Sequence, residues 1–308
     1  MSALAVLVFL LAMPVTAGAH GDALDALGTA ATWTYDPWIV VPLYSSAVLY
    51  LIGTRRLWRH AGQDRGVRHW QAACFWAGWT LLALALLSPL HWLGERLFVA
   101  HMVEHEFLMV LAAPLLAVSR PIGAFLWALP RSWRRQFGQM TRQAVVARPW
   151  SVARLPLIAT MLHAIALWAW HMPVLYNLVL ADITMHRLQH ASFFFSALLF
   201  WWSLFYGPAR RRGDGVAVAC LFFTSLHSAI LGIFLTLARQ PWYPEQEQFA
   251  ALCGLTPLED QQLAGLVMWV PPGLIYLGFA LFFAGRWITR SGVGAPRPAG
   301  ARHAFATH

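Results

Sequence analysis

The stretch FVAHMVEHEFLMVLAAPLLAVS, residues 98–119, decides the fold. It runs for 22 residues, and a helix needs about 20 predominantly apolar residues to cross the hydrocarbon of a bilayer. In lipid, backbone hydrogen bonding leaves helix as the conformation for such a run. Yet its first half carries His101, Glu104, His105 and Glu106. Ionisable side chains in a bilayer helix are costly unless paired or wet, so they mark a functional position by default.

Six further apolar runs lie on either side, at 37–54, 70–90, 155–176, 186–206, 216–238 and 262–285. Composition agrees with them. Of 308 residues 59% are hydrophobic and 11% charged, and the mean hydropathy is +0.54, whereas a soluble domain carries roughly 25% charged residues. The 17 Trp, 19 Phe and 7 Tyr equally exclude disorder. The expected fold is therefore all-α, a polytopic transmembrane bundle of about seven helices in a single domain over residues 20–290. Before it, residues 1–19 end in the small residues Ala17, Gly18 and Ala19 and read as a signal peptide cleaved after Ala19. The alternative is an uncleaved first helix. Residues 291–308 read as a flexible cytoplasmic tail.

The net charge of +9 is a topology signal. All 22 basic residues are Arg, and 19 of them fall in 55–69, 120–154, 210–212 and the tail from 286. Only Arg96, Arg187 and Arg239 lie on the other side, with Glu245, Glu247, Glu259 and Asp260. The positive-inside rule places the N-terminus outside and the C-terminus in the cytoplasm. The expected partner of this charge is the lipid bilayer, not nucleic acid; the basic loop 120–154 is also a candidate for anionic lipid or a cytoplasmic partner.

That topology sorts the 13 His residues. His101 and His105 open the third run, His171 closes the fourth, and His186 and His190 open the fifth, all at the outer level. Each pair is four residues apart, so both imidazoles project from one helix face about 6 Å apart along the axis. Pairs at this spacing grip a metal ion in the zinc helix motif, and the five residues together point to a metal or cofactor site. Glu104 lies near the same face as a carboxylate ligand or an acceptor that orients a ring. Glu106 is expected to point away, toward outer water or an Arg such as Arg96.

Met102, Met172, Met185 and Met268 lie near the same level, as ordinary packing or as thioether ligands; imidazole with thioether favours copper, and imidazole with carboxylate is more permissive. His163 and His227 are deeper, as a second site, a transfer path or helix-to-helix hydrogen bonds. His91 follows Pro89 in the outer loop, where an entry ligand would stand. His20 would become the mature N-terminus, pairing amine and imidazole as a copper chelate. Cys74, Cys220 and Cys253 form no CxxC pair and no structural disulfide is expected.

Three motifs occur in order: HMVEHEFLMVLAAPLLAVSRP at 101–121, WAWHMPVLYNLVL at 168–180 followed by HRLQHASFFFSALLFWW from 186, and PLEDQQLAGLVMWVPPG at 257–273. With them the chain resembles the CtaG-type family of cytochrome c oxidase assembly factors, multispan bacterial membrane proteins associated with caa-type oxidases. The resemblance covers about 33–288. It implies a non-enzymatic role in building the oxidase at a copper-centre step in the bacterial inner membrane, with oxidase subunits or a copper chaperone as partners. The matching positions are His101, His105, His171, His186 and His190, with Asp260 and Gln261 in the last motif. Asp260 would orient a His or cap a helix N-terminus. Three other readings stay open on the residues. They are a zinc-dependent membrane hydrolase with Glu104 as base, a haem protein using His163 and His227, and a copper transporter.

Overall fold

Six of the thirteen described helices begin where the sequence supplies a first residue that has no N–H to leave unpaired. Pro37, Pro89, Pro121, Pro156, Pro173 and Pro257 each open a helix. Side-chain oxygens then take neighbouring donors: Asp36 accepts from Trp38 N at 3.0 Å, and Asp182 accepts from Thr184 N and Met185 N at 2.7 and 2.9 Å. The computed structural model describes residues 33–207, 214–243, 250–251 and 253–293. The expected signal peptide 1–19, His20, the Arg triplet 210–212, Glu245, Glu247 and the tail beyond 293 lie outside the described residues.

In chain order the helices are α1 (Pro37–Ala61), α2 (His69–Leu87), α3 (Pro89–Gly94), α4 (Phe98–Glu106), α5 (Ala113–Ser119), α6 (Pro121–Ala128), α7 (Arg131–Met140), α8 (Ala144–Ala153), α9 (Pro156–Trp170), α10 (Pro173–Ala181), α11 (Ile183–Tyr206), α12 (Gly215–Thr236) and α13 (Pro257–Val293). No strand occurs among the described residues. Six spans are long and apolar enough to cross a bilayer: α1, α2, Phe98–Ser119, α11, α12 and Pro257–Arg290. The pair α8 and α9, bent by 79°, makes a seventh when taken together as one broken span. The expected all-α membrane bundle is thus the observed one, with one correction. The fourth run, read from sequence as 155–176, stops at Trp170 after 15 residues, and a second helix starts at Pro173. A proline ring clashes with the preceding turn and lacks the N–H that would continue the helix, so the chain turns at His171.

The quoted stretch is the central span. In its apolar window 67% is buried, against 22–44% in the other five spans. It is also not one regular helix: Phe107–Ala112 is a π-helical turn joining α4 to α5. Pro114 explains it. Its ring needs space in the preceding turn, and its missing N–H leaves a carbonyl without a partner. The Met109 carbonyl, five residues earlier, instead accepts from the Trp201 indole N–H on α11 at 3.0 Å.

Around this span α12 and α13 pack closest. A Cβ on Gly265 would lie 2.6 Å from the Gly232 carbonyl oxygen, the close approach that small residues permit between membrane helices. Asp214 at the start of α12 takes Arg286 at 2.6 Å and Arg290 at 3.2 Å, which fixes the far ends of the pair. α7 packs differently. Its Trp133, Phe137 and Met140 are exposed at i, i+4 and i+7, with Arg131, Arg134 and Arg135 between them, the pattern of a helix lying in a membrane interface.

Candidate metal centre

Three anchored helix starts bring the site together. α4, which carries His101, Glu104 and His105, is capped from across the bundle: Asp260 on α13 accepts from Phe98 N at 2.8 Å and Val99 N at 2.9 Å. α11, which carries His186 and His190, is capped by Asp182 and tied to α1 by Arg187, whose Nε lies 2.7 Å from Asp36. α3, which carries His91, starts at Pro89 with Ser88 accepting from Leu90 N. Gly94 closes α3 against α4. A Cβ there would stand 2.8 Å from Glu104 Oε2 and 3.3 Å from His101 Cα, so only glycine lets the short helix lie this near.

Five imidazoles meet at this junction. The ring centroids of His101 and His105 are 4.2 Å apart, those of His186 and His190 4.5 Å, His105 and His190 5.1 Å, and His91 and His186 5.4 Å. All five are buried, and so is Glu104. Among the described residues two sets have ligand atoms that all lie within 4.8 Å of one another: His91, His186 and His190, and His101, His105 and His190. The sets share His190.

Glu104 stands between them. Its Oε1 lies 2.7 Å from His91 Nδ1 and 3.7 Å from His190 Nδ1. A ring held through Nδ1 by a carboxylate presents Nε2 to a metal, the arrangement by which outer groups orient a ligand. Burial alone would lower the His91 pKa, but the hydrogen bond and the charge of Glu104 outweigh it and hold His91 above the ordinary imidazole value. Both ring nitrogens of His101 and of His105, and Nε2 of His186 and His190, are buried and make no hydrogen bond. Leaving a buried polar atom unpaired costs about 1–3 kcal/mol. Such a concentration fits a bound cation, which would take these lone pairs.

The structure places the other predicted residues nearby or elsewhere. His171 caps the end of α9; its Nδ1 is 2.7 Å from the Leu167 carbonyl and its own carbonyl accepts from the Tyr243 hydroxyl at 2.7 Å. It stands outside both ligand sets, with Nε2 buried and unbonded. Met172 is exposed, while Met102 and Met268 are buried in the apolar core. Of the two roles weighed for Asp260 the structure shows a cap, on α4. Gln261 beside it accepts from Trp242 N at 2.6 Å. His163 bonds Ser196 on α11 at 3.0 Å, a helix-to-helix contact, whereas both nitrogens of the buried His227 are unpartnered. Glu106 does not reach Arg96. Arg96 pairs with Glu95 at 3.3 Å and lies 4.3 Å over the Trp92 ring, and Glu106 Oε2 is buried without a partner. The central place of His91 was the least visible in the sequence, since Pro89 makes its segment look like a loop.

A family model described as cytochrome c oxidase caa3 assembly factor (Caa3_CtaG) matches residues 48–290. The chain belongs to this family. The resemblance carried by the three motifs is therefore borne out, and the matched range of this Caa3_CtaG protein contains all five clustered His residues, Glu104 and Asp260. No curated protein and no solved structure matches the chain.

Proposed function

We propose that this caa3 assembly factor holds a copper ion in the histidine cluster and passes it on while the oxidase is built. The observation that carries the reading is the pair of interlocked imidazole sets with buried, unbonded nitrogens and, among the described residues, one buried carboxylate between them. Imidazole donors bind copper more tightly than the other divalent first-row metals. Neutral ligands on separate helices also let an ion be released one bond at a time, which suits a carrier. The copper centres of a cytochrome c oxidase are the natural destination, with oxidase subunits or a copper chaperone as partners. The Arg distribution supports an N-terminus outside, which in a bacterial inner membrane turns the cluster to the side from which those centres are loaded. In this reading the protein has no turnover chemistry.

The test is metal analysis of the purified protein beside a variant with His101, His105, His186 and His190 all changed to Ala. Copper in the parent and its loss in the variant supports the reading; equal copper in both refutes it. Zinc in the parent together with hydrolysis of an amide or ester would assign a hydrolase with Glu104 as base instead. An oxidase with its full copper content in a deletion strain would remove the delivery role.

A further inference from the structure

Resting on the copper reading, we propose that the cluster offers one ion two alternative positions that share His190: a shallow one on His91 and His186 and a deep one on His101 and His105. The ligand atoms of each set lie within 4.8 Å of one another, and His190 is the member common to both. The second set reaches deeper through His105. His186 opens α11 and His91 precedes the central span, whereas His105 lies one turn, about 5–6 Å, further along α4 than His101.

They differ also in access. His91, His186 and His190 line a cavity of about 710 Å³ between α1, α2 and α11. Its wall includes Trp38, Leu188 and Phe195, all exposed on the surface of the chain. His186 and His101 line a second cavity of about 320 Å³ beside Gly94 and Arg96. His105 lines neither of these cavities. Its ring packs instead against Phe193 at 4.6 Å, and His101 packs against Tyr176 at 5.7 Å. The shallow position is thus the more open one, while in the deep position His101 still borders the smaller cavity and His105 is shut off from both.

Charge argues for one ion at a time. Among the described residues, Glu104 is the one carboxylate within 4 Å of the cluster's buried rings besides the half-exposed Glu95, which lies 3.8 Å from His91. Two cations side by side in a buried site would carry repulsion that a single buried anion cannot offset. Passage between the positions needs no proton: the bonds from the ion to His91 and His186 break, bonds to His101 and His105 form, and His190 remains bound throughout.

The experiment loads the full-length detergent-purified protein with copper(I) and measures copper per chain and the rate of its removal by a hydrophilic chelator. Parent protein is expected to hold one copper. His91→Ala with His186→Ala should still hold one, released on the order of tenfold more slowly than in His101→Ala with His105→Ala, which should also hold one. His190→Ala should lose copper from both positions, and X-ray absorption should count three nitrogen ligands in each double variant. Two coppers per parent chain, equal release from the two double variants, or an undiminished His190→Ala would overturn the shared-ligand arrangement. If the parent binds one copper and both correctly folded double variants bind none, the site is a single composite one, and the copper reading survives alone. If the parent binds none, the copper reading itself fails.

Discussion

Replacing Asp260 tests how the helix that carries His101 and His105 is held. Asp260 lies on α13 but accepts the first two free N–H groups of α4, from Phe98 at 2.8 Å and Val99 at 2.9 Å. Phe98 and Asp260 are buried, so water cannot take over the Phe98 bond, and Val99 is partly buried, so its bond sits at the lower end of the cost. Asp260→Ala leaves two donors unpaired at about 1–3 kcal/mol each, or about 2–6 kcal/mol together. Asp260→Asn keeps one acceptor and turns its amide N–H₂ toward the other donor, for about half that loss. The neighbouring Glu259 is the control. It is exposed and closes a local capping box with Thr256, whose N and Oγ both lie 2.8 Å from Oε2. Glu259→Gln should cost little, because the exposed capping bonds are readily replaced by water. Thermal unfolding in detergent, followed by Trp fluorescence, should rank the parent above Glu259→Gln, then Asp260→Asn, then Asp260→Ala. At roughly 2 °C per kcal/mol for a chain of this size, the alanine variant should unfold about 4–12 °C below the parent. If Asp260→Ala unfolds together with Glu259→Gln, the cross-bundle cap does not hold α4.

Other perturbations reach separate parts of the same scaffold. Glu104→Gln keeps shape but weakens the grip on His91, so copper affinity should fall about 10–100-fold in a chelator competition while the unfolding midpoint is retained; unchanged affinity would argue against the orienting role. Gly265→Leu drives a side chain into the Gly232 carbonyl and Thr236 N, 2.6 and 2.7 Å from its Cβ, and should destabilise by about 1–3 kcal/mol in the same unfolding assay. Asp182, at the start of α11, is held below the ordinary carboxylate range by its hydrogen bond from Met185 N and then by that from Thr184 N. Its folded pKa is the lower one, so its capping is fully present above about pH 4 and is lost as pH falls through the folded value. Hydrogen exchange at Thr184 and Met185 should therefore speed up on acidification relative to neighbouring amides, and Asp182→Asn should remove that pH dependence.

Much of this was legible before any coordinates. Length and hydropathy alone locate the membrane runs, because a bilayer imposes a minimum span, and the four-residue His spacing puts each pair on one face whatever the tertiary structure. What the sequence could not carry were contacts between residues far apart. Asp260 lies 162 positions from Phe98, and an acid in the first turn of a helix already has a sufficient local explanation. His91 sits after a proline that suggests a loop, and its value emerges only when Gly94 lets α3 lie on Glu104. The break at His171 was the opposite failure: hydropathy runs smoothly through 155–176 and hides the turn that Pro173 enforces. The π-helical turn is hidden in the same way, since Pro114 announces a disturbance but only the Trp201 indole shows how it is accommodated.

The short α9 also acts on the membrane around it. Fifteen residues rise about 22 Å, whereas the hydrocarbon layer is about 30 Å thick. A helix that falls short is met by a locally thinner bilayer or by polar segments at its ends. α8 leaves one end at a bend of 79°, and at the other the chain turns through His171 into α10. In the copper reading proposed above, thinning at the His171 end would draw lipid headgroups and their water inward toward the histidine cluster, so that a hydrated ion would have less hydrocarbon to cross.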